Sequence, residues 1–203
     1  MPAKRTMVSA TQLYLASQSP RRRELLKQIG VKFRVLAPDV DEAPLPREAP
    51  DSYVERIARI KAEVAWARII ERRRARHPVL AADTAVVLGQ RILGKPANDA
   101  EARAMLKALS GRAHHVLTAV AVAHESQLRL ATSITAVTFR RLAPSEIAHY
   151  VASGEPHDKA GAYGIQGLAA SFITRIEGSY SGVMGLPLFE TVNLLKTFGI
   201  QVL

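Results

Sequence analysis

Four stretches of the chain, and one lysine outside them, hold the side chains that could do chemistry. In Ser17-Gln18-Ser19-Pro20-Arg21-Arg22-Arg23, a hydroxyl and a proline mark a helix start, and three arginines crowd its first turn. Cations in that position oppose the helix dipole at roughly 0.3–1 kcal/mol each, whereas a bound phosphate would collect free backbone N–H groups and forked guanidinium bonds. The segment is therefore either an anion site or an ordinary capped helix with exposed arginines. Asp83 interrupts the apolar run Pro78–Leu88, with Thr84 beside it. A carboxylate among apolar neighbours is costly without a partner, so Asp83 is a metal ligand, a general base, or a buried cap of a neighbouring loop. Lys95, between Gly94 and Pro96, sits on a stiff turn from which an ammonium could reach phosphate, unless the segment is only a turn. Lys61 borders the apolar stripe of a helix, where snorkelling competes with ligand binding. In Asp158–Gly167, three glycines in a strand-like context imply close backbone approach by a ligand or another strand, and the Gln166 amide could read a base.

The elements that must position these groups follow from periodicity and punctuation. Gln12–Ser17 reads as a buried strand, followed by a helix from Ser19-Pro20 to Gly30 and a second strand over Lys32–Ala37. A proline-rich loop then carries Asp39, Asp41 and Glu42. Tyr53, Ile57, Ile60 and Val64 recur at helical spacing, predicting a long amphipathic helix from Asp51 to about Arg74. Pro78–Leu88 is the next strand, and Asn98-x-x-Glu101 approximates a capping box for a helix ending at Ser110-Gly111. Ala113–Ala123 and Leu128–Phe139 read as neighbouring strands joined by His124–Gln127. A helix over Pro144–Ser153, a strand near Ser171–Ile176 and a final helix from about Pro187 complete the chain. Strands interspersed with helices, two of the strands adjacent and long, predict an α/β fold with a mixed sheet.

Length and composition bound the function. A chain of 203 residues makes one domain, or two small lobes sharing a core. With no cysteine, a disulfide scaffold, a cysteine zinc site, an iron–sulfur cluster and a thiol nucleophile are excluded, and a reducing compartment fits. The hydrophobic fraction of 48% with 23% charged residues is globular. A net charge of +10 suits anionic partners. Part of that excess lies in Arg68–Arg76, which reads as a solvated helix end or a nucleic-acid patch. No aromatic residue lies within the cluster to stack on bases, so nucleic acid is not an expected partner. No run approaches the roughly 20 apolar residues of a membrane span. Met1–Thr11 holds Lys4 and Arg5 without a secretory apolar stretch, so a flexible start and a cytoplasmic location are expected. The usual phosphate loop, the strand-borne G-x-G-x-x-G, H-E-x-x-H and the G-x-S-x-G elbow are all missing. His114 and His115 open a strand, where packing or solvation outweighs ligation.

Taken together, LYLASQSPRRRELL, the Asp41-Glu42 loop, the Lys61 helix, AADTAVV, GKP, LSGRAHHVLTAV, VTFRRL, GEPHDKAGAYGIQG and IEGSYSGVMGLPL resemble the Maf family of nucleoside triphosphate pyrophosphatases. The likeness runs from about Leu13 to Phe198. It implies one domain over residues 1–203 with an α/β fold like that of the inosine triphosphate pyrophosphatases: a mixed twisted sheet, flanking helices, and two lobes around a cleft. It implies cleavage of a nucleoside triphosphate to monophosphate and pyrophosphate with a divalent cation, Mg²⁺ or Mn²⁺, and a homodimer. By the same resemblance Ser17, Arg21, Arg22, Lys61 and Lys95 bind the phosphates. Asp83 is the base, Glu42 the acidic loop residue, and Asp83 with Glu42 the metal ligands. Arg22, Thr84 and Gln166 fall where selectivity is read, and DKAGAYGIQG is similar to the branch that prefers dTTP and UTP. Met184 and Gly182 depart from the family's more usual valine and asparagine, which touches packing rather than chemistry. The alternative is a nucleotide-binding regulator of septum formation without turnover, which would need the cations but not Asp83.

Overall fold

The computed structural model describes residues 12–202, so the expectation for Met1–Thr11 lies outside the described residues. In chain order the elements are β1 (Leu13–Leu15), α1 (Pro20–Gln28), β2 (Phe33–Val35), α2 (Pro50–Glu71), β3 (Val79–Leu88), β4 (Arg91–Leu93), α3 (Asp99–Leu109), β5 (Ala113–His124), β6 (Gln127–Phe139), α4 (Pro144–Ala152), β7 (Ile173–Glu177), α5 (Tyr180–Val183) and α6 (Leu188–Thr197). Helix starts follow the local chemistry. Ser19 Oγ accepts from Arg22 N and proline leads α1, α2 and α4. At α3, Asn98 Oδ1 accepts from Glu101 N at 2.9 Å, while the Glu101 carboxylate reaches back to Ala97 N at 2.7 Å, one residue before the donor of a standard capping box.

The sheet has seven strands in the order β2-β1-β3-β5-β6-β7, with β4 also on β3. β1 pairs in parallel with β2 and β3, and every other pairing is antiparallel, so the sheet is mixed as expected. α2 covers one face through an unusually slim stripe, Ala58, Ala62 and Ala65 against Ala81, Ala85, Ala119 and Ala121. α1 and α6 cover the other face with Leu25, Leu26, Leu194 and Leu195 against Leu13, Leu15, Leu80 and Val120. A third cluster around Phe139, Leu106 and Tyr150 gathers α3 and α4 at the far end of β3.

One topological detail makes the site. On its outer edge β3 meets β1 only as far as Leu15↔Leu80, and β4 takes up that edge only from Val86↔Leu93. Between these pairs no strand among the described residues covers it. The gap opens beyond the C-terminal end of β1, where the chain turns into α1, the usual place for a crevice in an α/β sheet. Alternation along β3 then sends Asp83 to the α2 face, with Ala81 and Ala85, and Thr84 to the α1 face.

Two local expectations are corrected. The second strand is shorter than Lys32–Ala37, being the three-residue edge strand β2. The glycine-rich stretch is not strand-like: 3₁₀ turns over Glu155–Asp158 and Ala160–Ala162 replace it. Gly161 has φ +69, and a Cβ there would stand 2.8 Å from Val86 Cγ1, so the turn presses its backbone onto β3 where only glycine fits. The close approach is to a strand of the same chain.

Candidate active site

Around the gap lies a cavity of about 500 Å³. Its lining includes Ser17, Arg21, Arg22, Glu42, Lys61, Asp83, Thr84 and Lys95, bringing together groups that are scattered along the sequence. Gln166 is the exception. It is exposed and absent from the lining, while Tyr163, Gly164 and Ile165 just before it form the wall.

Lys61 is the hub of the acidic side. Its Nζ lies 2.8 Å from Glu42 Oε1 and 2.8 Å from Asp83 Oδ1. Lys61 and Asp83 are 8% and 5% exposed, so this ion pair is shielded from water, whereas Glu42 closes it from the solvent side. Burial pushes the Asp83 carboxyl above the usual range, against the opposing pull of Lys61 and Arg22. Asp83 Oδ2 is buried and has no hydrogen-bond partner among the described residues. The loop bearing Glu42 is held by α2: Tyr53 Oη donates to Glu42 O at 3.0 Å, and Arg56 grips Ala43 O and both oxygens of Glu48. The Arg56 hydrogen bonds bring Glu48 down to about 2, so this latch persists at any neutral pH.

Arg22 is the hub of the basic side. Its guanidinium donates to Gly185 O (2.7 Å), Ser17 Oγ (3.2 Å) and Thr84 Oγ1 (3.1 Å). Thr118 on β5 extends this network. Thr118 Oγ1 donates to Gly182 O at 2.8 Å and lies 3.0 Å from Thr84 Oγ1. Since the Thr118 proton goes to Gly182, the Thr84 hydroxyl must donate to Thr118, and the chain runs one way from Arg22 through Thr84 and Thr118 to Gly182. Arg21 and Lys95 also line the cavity, and neither has a carboxylate partner among the described residues; Lys159 lines it as well, but is tied to Asp158 and Glu155 O. The Val183–Gly185 segment was not singled out in the sequence as lining the cavity, and Asp158 and Lys159 stood out only as part of the Asp158–Gly167 stretch. The available signal was Gly185, whose φ of +110 is a backbone conformation that residues with a side chain rarely adopt. Thr118 had no signal, as one threonine among strand residues.

The remaining candidates lie outside the cavity lining. His114 is buried, with Nε2 2.8 Å from Tyr163 Oη, and burial lowers its pKa to about 4. Residues 71–76 of the arginine cluster are exposed at the end of α2. No described helix is long and apolar enough to cross a membrane.

A buried carboxylate with a free oxygen, flanked by cations that have no acidic partner, suits hydrolysis of a phosphate anhydride. Comparison with known proteins agrees. The model of the Maf-like protein family matches residues 12–198. The dTTP/UTP pyrophosphatase of Nitrosospira multiformis is 59% identical over 198 residues, covering 94% of this chain and 96% of that protein. The dTTP/UTP pyrophosphatase of Nitrosomonas europaea is 56% identical with the same coverage. Among solved structures, the Ham1 protein of Staphylococcus aureus aligns with TM-score 0.45 and 16% identity over 63% of this chain and 71% of its own.

Proposed function

Because the chain belongs to the Maf family, we propose that it hydrolyses dTTP and UTP to the monophosphate and pyrophosphate in the cavity beside β3. The observation that carries this reading is Asp83, buried, with one oxygen clasped by Lys61 and the other without a hydrogen-bond partner among the described residues, in a cavity that Arg21, Arg22 and Lys95 also line. The triphosphate is bound by the free cations, with the guanidinium of Arg22 held in place by Ser17, Thr84 and Gly185 before substrate arrives. Asp83 Oδ2 orients a water in line with the α-phosphorus and accepts its proton as the bond to pyrophosphate breaks. Its burial raises its basicity toward that task. Lys61 keeps the Asp83 and Glu42 carboxylates from repelling each other.

The donor set also fits a divalent cation. Asp83 and Glu42 line the cavity and supply oxygen only. That suits Mg²⁺ or Mn²⁺ held by one or two carboxylates together with substrate phosphates. Bound there, the ion would offset phosphate charge and make a neighbouring water more acidic.

Uracil and thymine present acceptor, donor and acceptor along one edge. We place that edge against the Tyr163–Ile165 wall, with Gln166 at its rim. Cytosine inverts part of the pattern and is disfavoured. The test is product analysis with dTTP, UTP, CTP and GTP in Mg²⁺ or Mn²⁺. Pyrophosphate from dTTP and UTP well above the others is expected. Orthophosphate as first product would mean attack at the γ-phosphorus and defeat the mechanism. The family resemblance also leads us to propose a cytoplasmic homodimer, which light scattering on the eluting protein would read as twice the chain mass.

Thr118 gives a further prediction. Thr118→Val leaves the Thr84 hydroxyl without its acceptor and removes one of the two donors to Gly182 O, which keeps the Gly185 N–H at 2.9 Å. A buried hydrogen bond lost in this way costs about 1–3 kcal/mol. We expect KM for dTTP to rise roughly tenfold with little change in kcat, since Arg22 is loosened but Asp83 is untouched. Thr118→Ser should retain wild-type KM. Equal losses in both variants would make Thr118 a packing residue.

A further inference from the structure

A second cavity, of about 710 Å³, lies away from the active site, between the C-terminal half of α3, the Ser110–Arg112 turn and the start of α4. Its lining carries Arg103, Lys107, Arg112 and Arg141 and no carboxylate. All four are exposed, and of them, among the described residues, only Arg103 has a carboxylate within 4 Å, Asp99 Oδ2 at 4.0 Å, so the local charge is left to solvent and counter-ions. Like charges gathered around a concave surface repel one another, and an anion relieves that repulsion.

The floor beneath the cations is apolar. Leu142 and Ile147 line it at 8% and 7% exposed. The turn is shaped for one of the arginines. A Cβ on Gly111 would stand 3.0 Å from Arg141 Cγ, and Gly111 has φ +69, so the Arg141 stem lies across a position that only glycine leaves clear. Ser110 Oγ accepts from Leu142 N at 2.8 Å, which ties the turn to the floor and leaves the hydroxyl proton to donate. The volume is that of a small-molecule site.

From this arrangement we infer that the second cavity binds an organic phosphate with a flat, weakly polar body, of the nucleoside monophosphate class. The phosphate sits among Arg103, Lys107, Arg112 and Arg141, and the ring lies over the exposed Pro144 at the edge of Leu142 and Ile147. A bare anion would use the cations and waste the floor. An apolar ligand would leave the cations unanswered. Guanidinium groups suit the phosphate because they offer paired donors in one plane.

The test is an amide-shift titration of the full ¹⁵N-labelled chain with UMP, ribose 5-phosphate and inorganic phosphate. UMP is expected to move the amides of Gly111, Arg112, Leu142, Ala143 and Ile147 as a set distinct from those of Ser17, Ser19, Arg21 and Arg22. Half-saturation of that set should come at roughly tenfold lower concentration for UMP than for inorganic phosphate, with ribose 5-phosphate between. In an Arg112→Glu, Arg141→Glu chain the second set should stay still while the Ser17–Arg22 set moves as before, which also shows that the variant is folded. Shifts confined to the active site, equal half-saturation by UMP and inorganic phosphate, or an unaltered response in the double variant would each overturn the assignment. So would tighter binding of a single-stranded oligonucleotide than of UMP at these amides, which would mark the face as a nucleic-acid contact.

Discussion

Asp83→Asn is expected to lower kcat by roughly a thousandfold, the scale of a lost general base, while leaving the fold as stable as before or more so. The second half of that expectation follows from linkage. Burial raises the folded-state pKa of Asp83 above its ordinary value of 3.8. Between the unfolded and folded values the native state therefore binds more protons than the unfolded one. Stability falls as pH rises through that window, and at neutral pH the whole penalty is present. Asparagine removes the penalty and can keep an acceptor 2.8 Å from Lys61 Nζ. The measurement is a paired one, steady-state kinetics and thermal melting on the same protein. Retained turnover with a melting temperature lowered by several degrees would make Asp83 a structural ion-pair partner. The acid limb of kcat/KM should also have its midpoint above 3.8 and vanish in the variant.

Lys61→Met should have the largest effect on stability. The methionine fills the space but leaves Asp83 a buried carboxylate without its close cation, and Glu42 faces it with nothing between. Breaking one partner of a buried pair costs about 3–5 kcal/mol, because the remaining charge is uncompensated. Two readouts separate this from a simple packing defect. Adding Asp83→Asn to the Lys61→Met chain should restore most of the loss, since the orphaned charge is then gone. Mg²⁺ should raise the melting temperature of Lys61→Met more than that of the parent chain, because two carboxylates freed of the ammonium bind the ion better. A loss that Asp83→Asn does not relieve would show that Lys61 acts through shape alone.

Much of the fold was legible locally. Ser19-Pro20 and Asn98-x-x-Glu101 announced helix starts, and both caps form through their own side chains. The spacing of Tyr53, Ile57, Ile60 and Val64 announced α2, and the long apolar runs announced β3, β5 and β6. What failed was local too. The Asp158–Gly167 stretch has strand-like composition, but the positive φ of Gly161 turns it into 3₁₀ turns, and Gln166 beyond them is exposed. The three-residue strand β4 and the one-turn helix α5 are too short to leave a periodic pattern.

The site divides along the same line. Asp83 stood out because a charge in an apolar run demands a partner, and Arg21 and Arg22 stood out because cations at a helix start demand an anion. Residue types and short spacings, which act over one or two turns of chain, were enough to determine an α/β protein that handles polyanions with carboxylates. The identity of Asp83's partner was decided only when α2 packed its alanine stripe onto β3 and brought Lys61 down beside it. The cavity itself exists because β1 stops before β4 begins, a gap in a sheet edge that no single segment encodes. Thr118 joined the network for the same reason: pairing of β5 with β3 sets Thr118 opposite Thr84, and such register is a property of the assembled sheet.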